Sequence, residues 1–262
     1  MGIKKHFWLF LQTAGFETMD RIQEWPIFTL NVLGTIARIV FTVMFFQILY
    51  GQTTSIAGWE LPQTYILLGT WFAIDSIAWA SWTRGFQSRI PRMIRDGSLD
   101  RLLVQPVSLK CFISYRFIDL IFTTPSLVLG IGLVIWGFQT SSGPIHVLSY
   151  LFFFLLGLWL HFSFSVLLAS INFYSILQSS MYIRTSLLQL GQYPIDVYHG
   201  MIKLVFSIVL PFAFMFSLPA SVAVSGASWS LFVTAFIVAL FFHAVSSFVW
   251  QQGLSHYESA KG

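Results

Sequence analysis

Six apolar runs, each long enough to cross a lipid bilayer, constrain this chain more than any other feature. They cover 27–49, 62–83, 112–136, 145–169, 200–219 and 229–250. A hydrocarbon core about 30 Å thick takes about 20 helical residues, and within it every backbone N–H and C=O needs a partner inside the protein. Helices meet both conditions over runs of this length. The fold class expected is therefore an all-α integral membrane protein with six transmembrane helices. Composition agrees, with 56% hydrophobic and 9% charged residues against about 25% charged in an ordinary soluble domain.

The few charges are unevenly placed. Arg84, Arg89, Arg92, Arg95, Arg101 and Lys110, six of fourteen Lys and Arg residues, fall in the loop 84–110. Lys4, Lys5 and Arg21 precede the first span, and Arg184 and Lys203 flank the connection between spans 4 and 5. The loops 50–61, 137–144 and 220–228 carry no Lys or Arg. Basic residues stay on the cytosolic side, so both termini and the loop 84–110 are expected in the cytosol. For a prokaryote this means a multi-pass protein of the plasma (inner) membrane. The net charge of +4 is explained by these flanking loops, and no nucleic-acid partner is implied. The single Cys111 excludes an intrachain disulfide.

The first 25 residues do not read as a cleaved signal peptide, because FWLFL is short and Glu17, Asp20, Arg21 and Glu24 follow it. Phe7, Leu11, Ala14, Ile22 and Trp25 share roughly one helical face, which predicts an interfacial amphipathic helix over 1–25. No nucleophile, metal or phosphate-loop motif is present, so catalytic and metal sites are expected to be absent from this chain.

Charges within the spans cost about 2.5–3.5 kcal/mol each on insertion scales. Arg38 in span 1 and Asp75 in span 2 lie at depths that a long arginine can bridge, which predicts an intramembrane polar pair. Both a structural lock between helices and a lining for a substrate path fit that pair. The run PFAFMFSLPASVAVSGAS holds Pro211, Phe214 and Pro219 without one charge. It fits a re-entrant element before the last helix, with these three residues as gate candidates, or a kinked span.

In the basic loop, Phe86, Ile90, Met93 and Ile94 alternate with arginines in a helical spacing that ends at Gly97. Ser98 or Asp100 then caps a short turn over 99–104 that Pro106 terminates. The order Arg95-Asp-Gly-Ser-Leu-Asp-Arg-Leu-Leu-Val-Gln-Pro-Val-Ser108 resembles the loop between spans 2 and 3 of type-2 ATP-binding-cassette (ABC) exporter permeases. Tyr193-Pro-Ile-Asp-Val-Tyr198, followed by Leu210-Pro and Leu218-Pro-Ala220, is similar to the later part of the same family. The resemblance extends over nearly the whole chain.

That resemblance implies a permease that moves an amphipathic or hydrophobic substrate out of the cytosol. A separate cytosolic ABC ATPase, holding ATP and Mg, docks on the coupling helix, which maps onto Phe86, Arg89, Ile90, Arg92, Met93, Ile94, Arg95 and Asp96. It implies a second permease half, identical or a sister chain, and a re-entrant element near 212–226. The stretch 172–192 is longer and more amphipathic than a simple cytosolic turn. It reads either as a connection or as a polar span, which would enlarge the re-entrant part. A secondary transporter and a non-transporting scaffold are the alternatives, although the repeat symmetry of the former is not evident.

Overall fold

The computed structural model describes residues 25–105, 108–117, 119–174 and 179–257. The interfacial helix expected over 1–25, and Pro106, lie outside them apart from Trp25. Every named element among the described residues is helical. Four helices are long and apolar enough to cross a membrane: Trp25–Gln52, Phe122–Thr140, Val147–Phe173 and Trp229–Ser255. The pair Gly200–Val209 and Ala213–Ser225 would add a fifth if it counted as one span.

Helix α1 (Trp25–Gln52) runs along the outside of the bundle, with only Ile39 and Phe46 fully buried. Helix α2 (Leu61–Ala78) is the opposite case: thirteen of its eighteen residues are buried. Pro62 sits in its first turn and the Gln63 side chain accepts a hydrogen bond from the Glu60 amide, which together fix its start. Surrounded by protein, α2 can hold Thr64, Thr70, Asp75 and Ser76 without exposing them to lipid. It does not stop where the sequence suggested. Two π-helical turns, Trp79–Thr83 and Gly85–Arg89, carry it into α3 (Ile90–Asp96). At about 1.5 Å per residue the rod 61–96 far exceeds a core about 30 Å thick.

Gly97 ends the rod in the left-handed region, φ 69°, where a side chain would be strained. The chain turns back there, and the Leu99 amide reaches the Met93 carbonyl at 3.2 Å. Leu99, rather than Ser98 or Asp100, occupies the cap of α4 (Asp100–Leu103). Phe86, Ile90, Ile94 and Leu99 pack with Leu109, Ile113, Val166, Ala169 and Trp250 into a second core beneath the main one.

The third expected span, 112–136, is divided. Helix α5 (Leu109–Arg116) ends, and α6 (Leu120–Thr140) starts under an Asp119 cap. The Asp119 amide donates to Ala80 O at 3.0 Å, a carbonyl within the first π turn of the rod, and its carboxylate pairs with Arg84 at 3.5 Å. The break is thus tied to the π turns. Helix α6 lies directly against α2: a Cβ built on Gly69 would fall 2.5 Å from Gly130 O, and one on Gly137 2.7 Å from Pro62 O. Small residues permit this backbone approach.

Helix α7 (Val147–Ser170) is followed by a short 3₁₀ turn, Ile171–Phe173, and α8 (Ser179–Leu190) by another, Ile195–Val197. The next run, expected as a span over 200–219, is not one straight helix. Helix α9 (Gly200–Leu204) continues through a π turn to Val209, and a second arm, Ala213–Ser217 joined to α10 (Leu218–Ser225), leaves at 72°. Pro211, which lacks an amide proton, sits in the break. The bend packs deep against α7, with the Phe164 and Phe212 rings 5.5 Å apart. The end of the second arm returns to the start of α7, where the His146 amide donates to Ala223 O at 2.8 Å. Helix α11 (Trp229–Ser255) closes the bundle along α7 through the Phe153–Phe232 and Trp159–Phe236 contacts.

Helix α8 runs alongside the rod. One end lies beside the π turn Gly85–Arg89. At the other end Asp196, just beyond it, accepts hydrogen bonds from Trp59 Nε1 at 3.0 Å and Lys203 Nζ at 2.7 Å. Burial works against the Asp196 charge, but the Lys203 and Trp59 bonds outweigh it and hold the carboxyl below its usual range.

Gly69→Ala is expected to lower the melting temperature of the purified protein, at an overpacking cost of about 1–3 kcal/mol. Gly132→Ala, with nothing within 4 Å of the added Cβ, is expected to leave it unchanged. A carboxyl held below its usual range stabilises the fold above that range and loses the contribution as pH falls through its lowered value. Asp196→Asn should therefore melt below wild type at pH 7, and the gap should close as pH falls below about 4.

Candidate functional site

Along the described surface, α1, α2, α6 and α8 enclose a cavity of about 460 Å³. Asn31, Gly34, Thr35 and Arg38 line it from α1, spaced as one helical stripe. Asp75 and Trp79 face it from the rod, Thr123 and Ser126 from α6, and Arg184, Thr185 and Gln189 from α8. A second cavity of about 450 Å³ adjoins it toward α3 and shares Asn31, Trp79, Phe122 and Met181 with it. Arg84, Gln87, Arg92 and Asp119 line this lower part. The two make one polar groove running from the α3 end to the middle of α1.

The centre of the groove is an ion pair between Asp75 Oδ1 and Arg184 Nη2. Their side chains are 21% and 5% exposed, which makes the arginine the more deeply held partner. The Arg184 guanidinium also lies 5.4 Å from the Trp79 ring. One turn away, Trp71 Nε1 donates to the Leu188 carbonyl at 2.7 Å. Both contacts join α2 to α8, so a short polar helix is fastened to the most buried helix of the bundle.

This corrects the pairing expected from the sequence. Among the described residues Asp75 pairs with Arg184, and no Arg38–Asp75 ion pair forms. Arg38 shares the cavity with Asp75 but is exposed, its guanidinium 5.9 Å from the Trp71 ring and 5.4 Å from the Phe72 ring. Rings of this kind attract a cation through their quadrupole, and here they hold the arginine at the groove wall. The sequence offered one signal for Arg184: a single arginine in the apolar-polar stretch 172–192. Its partner lies 109 residues earlier, beyond the reach of local pattern.

The expected coupling residues divide into two sets. Phe86, Ile90 and Ile94 are buried in the second core, so they anchor α3 and do not form its surface. Arg92, Arg95 and Asp96 are exposed, and Met93 is half-buried. Arg89, also half-buried, has its guanidinium 5.1 Å from the Phe117 ring. Spacing of four between the buried residues was a readable helix stripe. Of the gate candidates, Pro211 is buried at the bend and Pro219 is buried in the first turn of α10. Phe214 is half-buried, its amide donating to Pro211 O at 3.1 Å. None of the three lines the groove.

A family model described as "ABC-2 family transporter protein" matches residues 36–261. No curated protein and no solved structure matches the chain.

Removing one partner of a buried ion pair leaves an uncompensated charge, whereas replacing both with apolar groups does not. Asp75→Asn or Arg184→Gln alone is expected to cost about 3–5 kcal/mol. The double variant Asp75→Leu/Arg184→Met should cost clearly less than the two single changes together. Unfolding in mixed micelles, read by tryptophan fluorescence as a double-mutant cycle, checks this; additive costs would show that the two side chains are not coupled.

Proposed function

The chain belongs to the ABC-2 family of transporter proteins, and from that premise we propose that it is the permease subunit of an exporter driven by a separate ABC ATPase. Its groove is one half of the substrate path. The observation that carries this reading is the continuous rod from α2 to α3, which has the Asp75–Arg184 pair at one level and the exposed Arg92, Arg95 and Asp96 at its tip. A push on α3 is delivered along the same backbone to the groove wall. The π turns between them, already wound more loosely than an α-helix, are where such a rod can rewind.

The topology in this proposal has six crossings. They are α1, α2, α6, α7, α8 and α11, with α8 as the polar fifth crossing. Support comes from the two ends of α8: one beside the π turn Gly85–Arg89, the other leading to Asp196, which is bound to Trp59 in the α1–α2 loop. The bent pair from Gly200 to Ser225 is then a re-entrant hairpin. It enters and leaves on the face that carries Trp59 and His146, which fits the hydrogen bonds to Asp196 and from His146. Both termini remain on the cytosolic side, in agreement with the basic loop 84–110, whereas Arg184 falls within the fifth crossing and Lys203 on the outer side, bound to Asp196; the membrane is the prokaryotic inner membrane.

Arg38 adds a reason for a second permease half. An arginine exposed at mid-span is costly against lipid but not against water or protein. A second half facing α1 and α8 encloses it in an aqueous path. ATP and Mg stay on the ATPase, whose nucleotide-driven closure draws the two α3 tips together and opens the path outward. The cargo is amphipathic, since the groove combines polar walls with an exposed apolar α1. Family membership favours this reading over a secondary transporter or a scaffold.

The test is capture of the motor. Tagged protein extracted in mild detergent is expected to bring down an ABC ATPase. Reversing the α3 tip with Arg92→Glu/Arg95→Glu should lower that yield by about tenfold, as for close charge pairs at an interface. Absence of any ATPase, or capture unaffected by the reversal, would remove the coupling role.

A further inference from the structure

Among the described residues, the groove has more positive charge than its carboxylates can neutralise. Four arginines, Arg38, Arg84, Arg92 and Arg184, line its two cavities with two aspartates, Asp75 and Asp119. Each aspartate already has an arginine: Asp75 binds Arg184 and Asp119 binds Arg84. Arg38 and Arg92 are left without a carboxylate among the described residues. One stands at the α3 end of the groove and the other at mid-span.

Arg38 is also positioned for a ligand. The Trp71 and Phe72 rings, themselves buried, hold one side of its guanidinium. Arg38 lines a cavity whose walls also include Asn31, Thr35 and Gln189, each with hydrogen-bond donors. A planar guanidinium is suited to two-pronged contact with phosphate or carboxylate oxygens. The neighbouring face of α1 exposes Leu30 and Leu33, at 71% and 58%, which gives an acyl chain a surface at the level of the cavity.

We propose that the groove binds the anionic group of an amphipathic molecule, a phosphate, carboxylate or sulfate, with Arg38 as its mid-span partner and Arg92 at its mouth. The proposal rests on the permease reading of the groove and names the class of cargo. Among the described residues a cationic amphiphile would find no uncommitted carboxylate there and would meet two arginines without a carboxylate partner.

The test uses the purified full-length protein in a neutral maltoside detergent, with melting temperature read against dodecyl phosphate, dodecyltrimethylammonium and inorganic phosphate. Dodecyl phosphate is expected to raise the melting temperature saturably. Arg38→Gln should shift its midpoint to about tenfold higher concentration, as for loss of a charge-assisted contact, while Arg38→Lys, which keeps the charge but not the planar fork, should fall between wild type and Arg38→Gln. Arg92→Gln, on the exposed mouth, should weaken binding about threefold and keeps the test open if Arg38→Gln fails to fold. Stabilisation by dodecyltrimethylammonium equal to that by dodecyl phosphate, or midpoints unchanged in both variants, would overturn the proposal. Saturation by inorganic phosphate at the same midpoint would keep an anion site but overturn an amphipathic cargo. Loss of ATPase capture with dodecyl phosphate binding intact would remove the permease reading alone. Capture intact with binding insensitive to both arginines would remove the anion site alone.

Discussion

The ion pair between Asp75 and Arg184 is the contact on which the arrangement depends. Helix α8 has twelve residues, several of them polar, and would not hold its place in a bilayer by hydrophobicity. Beside α2 it gains an ion pair, a ring contact to Trp79 and the hydrogen bond from Trp71 to the Leu188 carbonyl. Charges that would each be costly against lipid neutralise one another between protein surfaces. Such a pair contributes little net stability, and here it joins α8 to α2 at one level.

From that contact the groove and the lever follow. Because α8 is held against α2, the wall between them and α1 is polar, and Arg38, Thr185 and Gln189 face a common space. Because α2 runs on through two π turns into α3, the groove wall and the exposed basic tip are parts of one backbone. The π turns also hold α5 and α6 apart, through the bond from the Asp119 amide to the Ala80 carbonyl. The α2 part of the rod is held on one side by glycine contacts at Gly69 and on the other by an ion pair, which leaves the π turns beyond it as the place where the rod can rewind.

Much of this was legible in the sequence. The apolar runs marked helices, Gly97 marked the end of the rod, and the resemblance named the family that the matched residues 36–261 show. Three things were not legible, for separate reasons. The partner of Asp75 is set by tertiary packing across 109 residues, and proximity in depth suggested Arg38 instead. Helix α8 was obscured because a helix packed against protein need not be apolar. The run 200–219 resembled one straight span because a pair of helices bent at 72° and packed against α7 is just as hydrophobic as one. Phe86, Ile90 and Ile94, expected on the docking helix, are spaced by four and form its inward stripe, with the arginines beside them on the outer side.

The central claim, that the chain crosses the membrane along α8 and re-enters from the far side, is most directly tested by where His199 lies. In a Cys111→Ser background, His199→Cys and Tyr174→Cys would be labelled in sealed vesicles of opposite orientation with a membrane-impermeant maleimide. If α8 crosses, position 199 reacts from the outer face and position 174 only from the cytosolic face. Labelling of both from the cytosolic face would mean that α8 does not cross and that the run beginning at Gly200 does.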